Sequence, residues 1–268
     1  MVGGVDGQEA AAWIASSENA GRTWTYTTRL PAPLAGGVES IACDRRGCFM
    51  VGENLAENAD ALGFSRNQGR SWSVIALPQS WLAASITPHF MGCTSTTCVV
   101  YGSNIFALSI SGKSILPPYQ VGIVSTSNDG RTWSQASLPA GSNDLDSIAC
   151  VVSGKCWALY RPDHSVEGVA ASTDGGTTWT TVGAIGQSFD PDHFAGFGCS
   201  DRIVCYLVDN SNNVFVTGNG GRTWQSGQPV RNSAGSRELE TDALACGPRG
   251  GPCHIAGTGP RTSLWTTS

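Results

Sequence analysis

Positive charge is scarce in this 268-residue chain: 16 Lys and Arg stand against 21 Asp and Glu, and only Lys113 and Lys155 are lysines. Charged residues make up 14% of the chain and the net charge is −5. No basic stripe runs along it, so it lacks the phosphate-neutralising surface that nucleic acid requires. No apolar run approaches the ~20 residues of a membrane-spanning helix, so no membrane span is expected. Met1-Val2-Gly3-Gly4 has neither a basic cluster nor a long apolar stretch, so no signal peptide is expected in this chain. No glycine-rich phosphate loop leads from a strand into a helix, and no Gly-x-Ser-x-Gly elbow occurs. Nucleotide binding and serine-hydrolase chemistry are therefore without support, and no cofactor is expected.

What the chain does have is a repeated octamer. Ser172 to Trp179 reads STDGGTTW, and the pattern returns as SENAGRTW (Ser17–Trp24), SRNQGRSW (Ser65–Trp72), TSNDGRTW (Thr126–Trp133) and TGNGGRTW (Thr217–Trp224). The shared form is Ser/Thr-x-Asp/Asn-x-Gly-x-Thr/Ser-Trp. The third residue can accept hydrogen bonds from backbone N–H groups further on. The fifth, glycine, tolerates positive φ. The seventh offers a hydroxyl, and the eighth a large ring to bury. Strand-like runs flank each copy, so the octamer reads as a hairpin turn with its tryptophan tucked beneath the sheet.

Octamer and flanks together resemble the Asp-box, or BNR repeat, of sialidases and related β-propellers, and the resemblance spans nearly the whole chain. It implies an all-β fold: a β-propeller of four-stranded antiparallel blades. It does not imply one activity, because the family includes hydrolases, lectins, receptors and assembly factors. Four boxes carry Asn where the family usually has Asp, at Asn19, Asn67, Asn128 and Asn219; only Asp174 is charged. A hard cation wants several anionic oxygens, so the boxes read as stapled turns rather than metal sites.

Successive box tryptophans are 48, 61, 46 and 45 residues apart, a spacing in the range of propeller blades. One domain over 1–268 is expected, with units at about 1–30, 31–78, 79–139, 140–185, 186–230 and 231–268. Six blades are preferred, with five as the alternative. The 34 glycines suit a turn-rich β protein.

Ten cysteines fall as one pair per repeat: Cys43/Cys48, Cys93/Cys98, Cys150/Cys156, Cys199/Cys205 and Cys246/Cys253. Each pair brackets a short hydrophilic loop, which sets the two Cα atoms opposite one another in a hairpin, within disulfide reach. Zinc is the rival reading, but it needs four ligands, five pairs leave one over, and no histidine recurs with them. Disulfides imply an oxidising environment: secreted, periplasmic or cell-surface.

Within each unit, strand A runs into the first Cys, B leaves the second, C precedes the box and D begins at its Trp. The chain starts at a strand B (Met1-Val2-Gly3) and stops after a strand C (Ser263 to Ser268), and pairing between its ends is expected because open edges are hazardous. The A–B and C–D loops, short and regular, share one end of the ring. The long, dissimilar D–A and B–C loops share the other, where binding and catalysis are expected.

Four residues before the first Cys of each pair stand Glu39, His89, Asp146, Ala195 and Asp242. Inner strands crowd the channel, so these should ring its mouth. Glu39, His89, Asp146 and Asp242 are the candidate catalytic residues, since neighbouring carboxylates have their pKa values pushed apart, as glycosidases require. Asp163, His164, Asp192 and His193, from two Pro-Asp-His runs, and the loop aromatics Trp81, Phe90, Tyr119 and Tyr160 are candidate ligand-binding residues. A metal on His89 is set aside because ring positions are expected to stand too far apart to share one ion.

The resemblance has a limit. Arg29-Leu30-Pro31 matches a sialidase motif superficially, but Leu77-Pro78 and Leu138-Pro139 hold the same place in other units. No arginine cluster or Tyr–Glu pair emerges by motif. The preferred function is a binding module that holds a glycan or a protein partner on its loop-rich face; oligomeric state is left open. The alternatives are a glycoside hydrolase or lyase, and an assembly scaffold.

Overall fold

The structure, a computed structural model, describes residues 2–3, 13–16, 25–27, 30–54, 59–67, 69–104, 109–110, 113–114, 120–142, 144–163, 166–186, 194–200, 203–209, 211, 213–228, 240–246, 253–258 and 265–266. It divides into two compact units, Met1–Ser137 and Leu138–Ser268. Among the described residues no helix is long and apolar enough to cross a membrane.

In the first unit, β1 (Val2–Gly3), β2 (Trp13–Ser16) and β3 (Thr25–Thr27) make a three-stranded antiparallel sheet. β4 (Val38–Cys43), β5 (Cys48–Asn54), β6 (Ala59–Ser65) and β7 (Ser73–Ile75) make a four-stranded meander. A short helix, α1 (Gln79–Ala84), leads to the next sheet. That sheet comprises β8 (Thr87–Cys93), β9 (Cys98–Ser103), β12 (Val121–Thr126) and β13 (Ser134–Gln135), with the ribbon of β10 (Ser109–Ile110) and β11 (Lys113–Ser114) between its second and third strands.

The second unit repeats the meander twice. The first copy is β14 (Leu145–Cys150), β15 (Cys156–Asp163), β16 (Val166–Ser172) and β17 (Thr180–Ala184); the second is β18 (Phe194–Cys199), β19 (Cys205–Asp209), β20 (Val214–Thr217) and β21 (Gln225–Ser226). β22 (Glu240–Cys246), β23 (Cys253–Thr258) and β24 (Trp265–Thr266) form a last, three-stranded sheet.

The expectation of six blades, or five, is corrected to four four-stranded blades among the described residues. The sheets nearest the two ends of the chain hold three strands each, because the first is entered at a B strand and the last is left at a C strand. The D strands also begin one residue later than expected, after the box tryptophan rather than at it.

Second strands are buried on both faces. Phe49, Met50 and Val51 are each 0% exposed, as are Trp157, Ala158 and Leu159. Such continuous apolar runs are what a strand needs when sheets cover both of its sides. Between the two four-stranded sheets of the first unit, Phe49, Val51, Leu62 and Phe64 pack against Met91, Val100 and Val124. In the second unit Leu159 and Val169 pack against Phe197, Leu207 and Phe215.

Among the described residues four disulfides close the A–B hairpins: Cys43–Cys48, Cys93–Cys98, Cys150–Cys156 and Cys199–Cys205, with Cα atoms 4.0 to 4.1 Å apart. In each, the two cysteines are direct register partners. Cys246 and Cys253 face each other in the same way, while the Cys253 side chain lies outside the described residues. Zinc is thereby displaced as a reading of the four pairs.

The boxes fold as one turn. In the box at Asn128, Thr126 Oγ1 donates to Asn128 Oδ1 and accepts from the Gly130 N–H; Thr132 N–H donates to Asn128 Oδ1, and Asn128 Nδ2 donates to Thr132 Oγ1. The same bonds recur around Asn67 and Asn219. Around Asp174 the last reverses, with Thr178 Oγ1 donating to Oδ2. Burial opposes charge at Asp174, but bonds from Thr178, Ser172 and Thr177 outweigh it and hold the carboxyl below its ordinary value. Gly130 sits at φ +74°, and a Cβ there would meet Ile75 Cδ1 at 2.6 Å. The first box, Ser17–Trp24, lies outside the described residues.

Candidate functional site

Two of the predicted ring residues meet in the first unit. Glu39 on β4 and His89 on β8 come together with Asp60 on β6: His89 Nδ1 lies 3.8 Å from Glu39 Oε2 and 3.6 Å from Asp60 Oδ2. The imidazole is held from its other side, with Nε2 3.1 Å from Ser103 Oγ. Its ring lies beside Phe90 and Tyr101. Burial, then the neighbouring charge of Glu39, pushes the Asp60 carboxyl up to about 6; Glu53 adds to this and His89 opposes it. Two carboxylates and an imidazole at this spacing can share a proton or ligate a cation. Asp60 was not singled out in the sequence. Its signal was there: it stands directly opposite Glu53 in the hairpin register, and facing like charges are unfavourable in a sheet.

Asp146, the third ring residue, lies in the second unit. It accepts a 2.9 Å hydrogen bond from Arg161 Nε. Arg161 Nε is also 3.9 Å from Glu167 Oε2. Glu167 is 2% exposed and neither of its oxygens has a hydrogen-bond partner among the described residues. Burial, reinforced by Asp146, pushes its carboxyl up to about 9. Burial also raises Asp146, while Arg161 pulls it down. The two carboxyls stand close together, as acid–base chemistry needs, but Glu167 is enclosed. It was missed because a glutamate beginning Glu167-Gly168-Val169 looks like an ordinary strand entry.

A third feature lies at the box end of the first unit. A groove of about 410 Å³ runs between the boxes at Asn67 and Asn128, with Phe64, Trp72 and Ile75 along it. Arg66 and Arg131 flank it with side chains 65% and 67% exposed. Asp129 lies between them, 3.6 Å from Arg66 Nη2 and 4.0 Å from Arg131 Nη2, with Arg46 Nε at 3.6 Å. Among the described residues neither flanking guanidinium donates a side-chain hydrogen bond, and Arg66 lies over the Phe64 ring. Arg46 is occupied elsewhere, by Asp44 and the Ser127 carbonyl. Asp129 holds φ +64° at a place where two other boxes have glycine, a conformation that costs an L-residue about 1 kcal/mol.

The remaining predicted residues divide. Trp81 is 1% exposed and Tyr160 3%. The expectation that they face a ligand is corrected: α1 carries the Trp81 ring into the core, where Gly122 leaves room for it, and the Tyr160 hydroxyl bonds Thr181 Oγ1 at 2.7 Å. Phe90 is half-buried and stacks on Tyr101. Tyr119, His164, Asp192 and His193 lie outside the described residues, as do the side chains of Asp163 and Asp242. Much of the loop-rich end is therefore not described.

No protein-family model matches the chain, and no curated protein does. Solved structures do. YCF48 bound to D1 peptide is 14% identical with a TM-score of 0.54, the match covering 100% of this chain and 72% of that one. Hadza microbial sialidase Hz136 is 14% identical with a TM-score of 0.62, covering 98% of this chain and 60% of the sialidase. Trypanosoma rangeli sialidase in complex with the inhibitor DANA is 11% identical with a TM-score of 0.56, covering 98% and 50%. The chain thus spans 60% and 50% of the lengths of these two sialidases. At such identities the likeness shows the fold alone: an all-β propeller.

Proposed function

We propose that this chain is a binding propeller of an oxidising compartment, secreted, periplasmic or cell-surface, and that its partner is a protein. The compartment rests on the disulfides, which persist where thiols are not kept reduced. The partner class rests on one observation: Arg66 and Arg131 stand two-thirds exposed on either side of a groove whose floor is made by the buried Phe64 and Trp72 and the half-buried Ile75. Guanidinium forks suit carboxylates, so an acidic segment fits best. YCF48, a propeller of similar fold, is bound to a peptide in its structure, which is consistent with this reading.

The groove lies at the end that carries the boxes, whereas the sequence pointed to the loop-rich end. A glycan partner is less well supported, because the two aromatic rings that would have made a sugar platform, Trp81 and Tyr160, are core residues. Hydrolysis is the second reading, favoured only by the carboxyl pair Asp146 and Glu167, where enclosure of Glu167 argues against substrate contact.

The test is a panel of acidic, neutral and basic peptides of one length, measured by fluorescence polarisation beside a glycan array. Acidic peptides should bind, and more weakly as salt rises. Equal affinity for all three classes, or binding to glycans alone, would refute the proposal.

A further inference from the structure

The cluster on β4, β6 and β8 carries an inference independent of the arginine groove. Its ligand-type atoms, from Glu39, Asp60 and His89, all lie within 4.8 Å of one another. Among the described residues it is the only such grouping of three His, Cys, Asp or Glu. His89 is 8% exposed, and among the described residues no hydrogen bond reaches its Nδ1, which is aimed at both carboxylates.

The distances discriminate. At 3.6 and 3.8 Å, the two Nδ1 to oxygen separations are too long for N–H···O hydrogen bonds, which run at about 2.7–3.2 Å. A cation bonded at about 2.0–2.2 Å to each of three atoms sets those atoms about 3–3.5 Å apart, so the observed cluster needs only a slight contraction around Nδ1. The far side of the ring fits as well. With Nε2–H donating to Ser103 Oγ, Nδ1 presents its lone pair to the carboxylates, the arrangement in which a second partner fixes the tautomer of a ligating histidine.

We propose that Glu39, Asp60 and His89 form a binding site for a first-row divalent cation, with Zn²⁺ the ion that suits them best. One imidazole and two carboxylates are too few, and too nitrogen-rich, for Ca²⁺, which takes six to eight oxygens. The four described disulfides remove their thiols from competition. The Glu39 side chain is 47% exposed, so the site opens to solvent there and leaves a coordination place for water. The ion would tie β8 of one sheet to β4 and β6 of its neighbour.

The experiment uses the full chain, stripped with a chelator and then titrated with Zn²⁺ by calorimetry and with Co²⁺ by visible absorption. Wild type should take one Zn²⁺ per chain, give Co²⁺ d–d bands, and keep Zn²⁺ in excess Ca²⁺. His89→Ala and Asp60→Asn should each weaken Zn²⁺ binding at least roughly tenfold and abolish the Co²⁺ bands. Circular dichroism checks the fold; if His89→Ala does not fold, Asp60→Asn and Glu39→Gln carry the test. No Zn²⁺ binding by wild type overturns the proposal. So does displacement by Ca²⁺, or binding unchanged in the folded variants, which would mark adventitious sites at His164, His193 or His254.

Discussion

The indole Nε1 of Trp133 donates 3.2 Å to the carbonyl of Ala76, so the box of one four-stranded sheet is tied to the end of the last strand of the preceding one. Trp179 holds the same place in its own box, yet its Nε1 is buried without a partner among the described residues. Trp133→Phe should therefore cost about 1 kcal/mol more than Trp179→Phe, the net worth of one hydrogen bond. Urea denaturation of the two variants checks this; equal losses would mean that the bond contributes nothing.

Glycine at the fifth box place has a steric duty that Gly141 and Gly154 lack. Gly130 and Gly141 both have positive φ, but only at Gly130 would a Cβ meet another side chain, Ile75 Cδ1 at 2.6 Å; at Gly141 nothing lies within 4 Å. Both alanine variants pay for the left-handed backbone, about 1 kcal/mol. Gly130→Ala should lose a further 1–3 kcal/mol to overpacking. Thermal melts of the pair separate the two costs.

Glu167 sets a pH dependence. Its folded pKa, raised from 4.5 to about 9 by burial and Asp146, means that the unfolded chain releases this proton first. The stability it contributes is complete below its ordinary value and is lost as pH rises toward about 9. Glu167→Gln should flatten that decline, and at the alkaline end should exceed wild type by at least about 1.4 kcal/mol, the worth of one pKa unit. The measurement is denaturant unfolding across this range. A parallel decline in both proteins would show that Glu167 ionises normally.

Each disulfide closes a hairpin whose cysteines are only five or six residues apart. The chain-entropy estimate for such loops is roughly 2 kcal/mol. Replacing Cys93 and Cys98 together by Ser should lower stability by about that amount, read from chemical denaturation, while the antiparallel hairpin signature persists in circular dichroism.

The repeat, the hairpins and the box turns were legible because each is local. A Cys pair at five or six residues, or an Asx two places before a glycine, fixes its own geometry. The meeting of Glu39 with His89 was not: equivalent places on successive A strands were expected to stand too far apart to share an ion, and the structure sets the two side chains 3.8 Å apart. Asp60 escaped notice because it reaches the cluster from a C strand, outside that alignment. Trp81 looked like a loop aromatic; α1, too short to show periodicity, turns it inward. The arginine groove depends on two boxes 61 residues apart meeting side by side. Its sequence signs were Arg66, at the second place of one box, and Arg131, at the sixth place of the next. A stapled turn does not require that charge.

The central claim is that the arginine groove reads acidic partners by charge. Its most direct test is a charge swap: Arg66→Glu with Arg131→Glu, titrated with an acidic peptide that binds wild type and with its Lys-substituted counterpart. The account predicts at least a tenfold loss for the acidic peptide, about 1.4 kcal/mol, and a gain for the basic one. Unchanged affinity for both peptides, in a variant that keeps its fold, would contradict it.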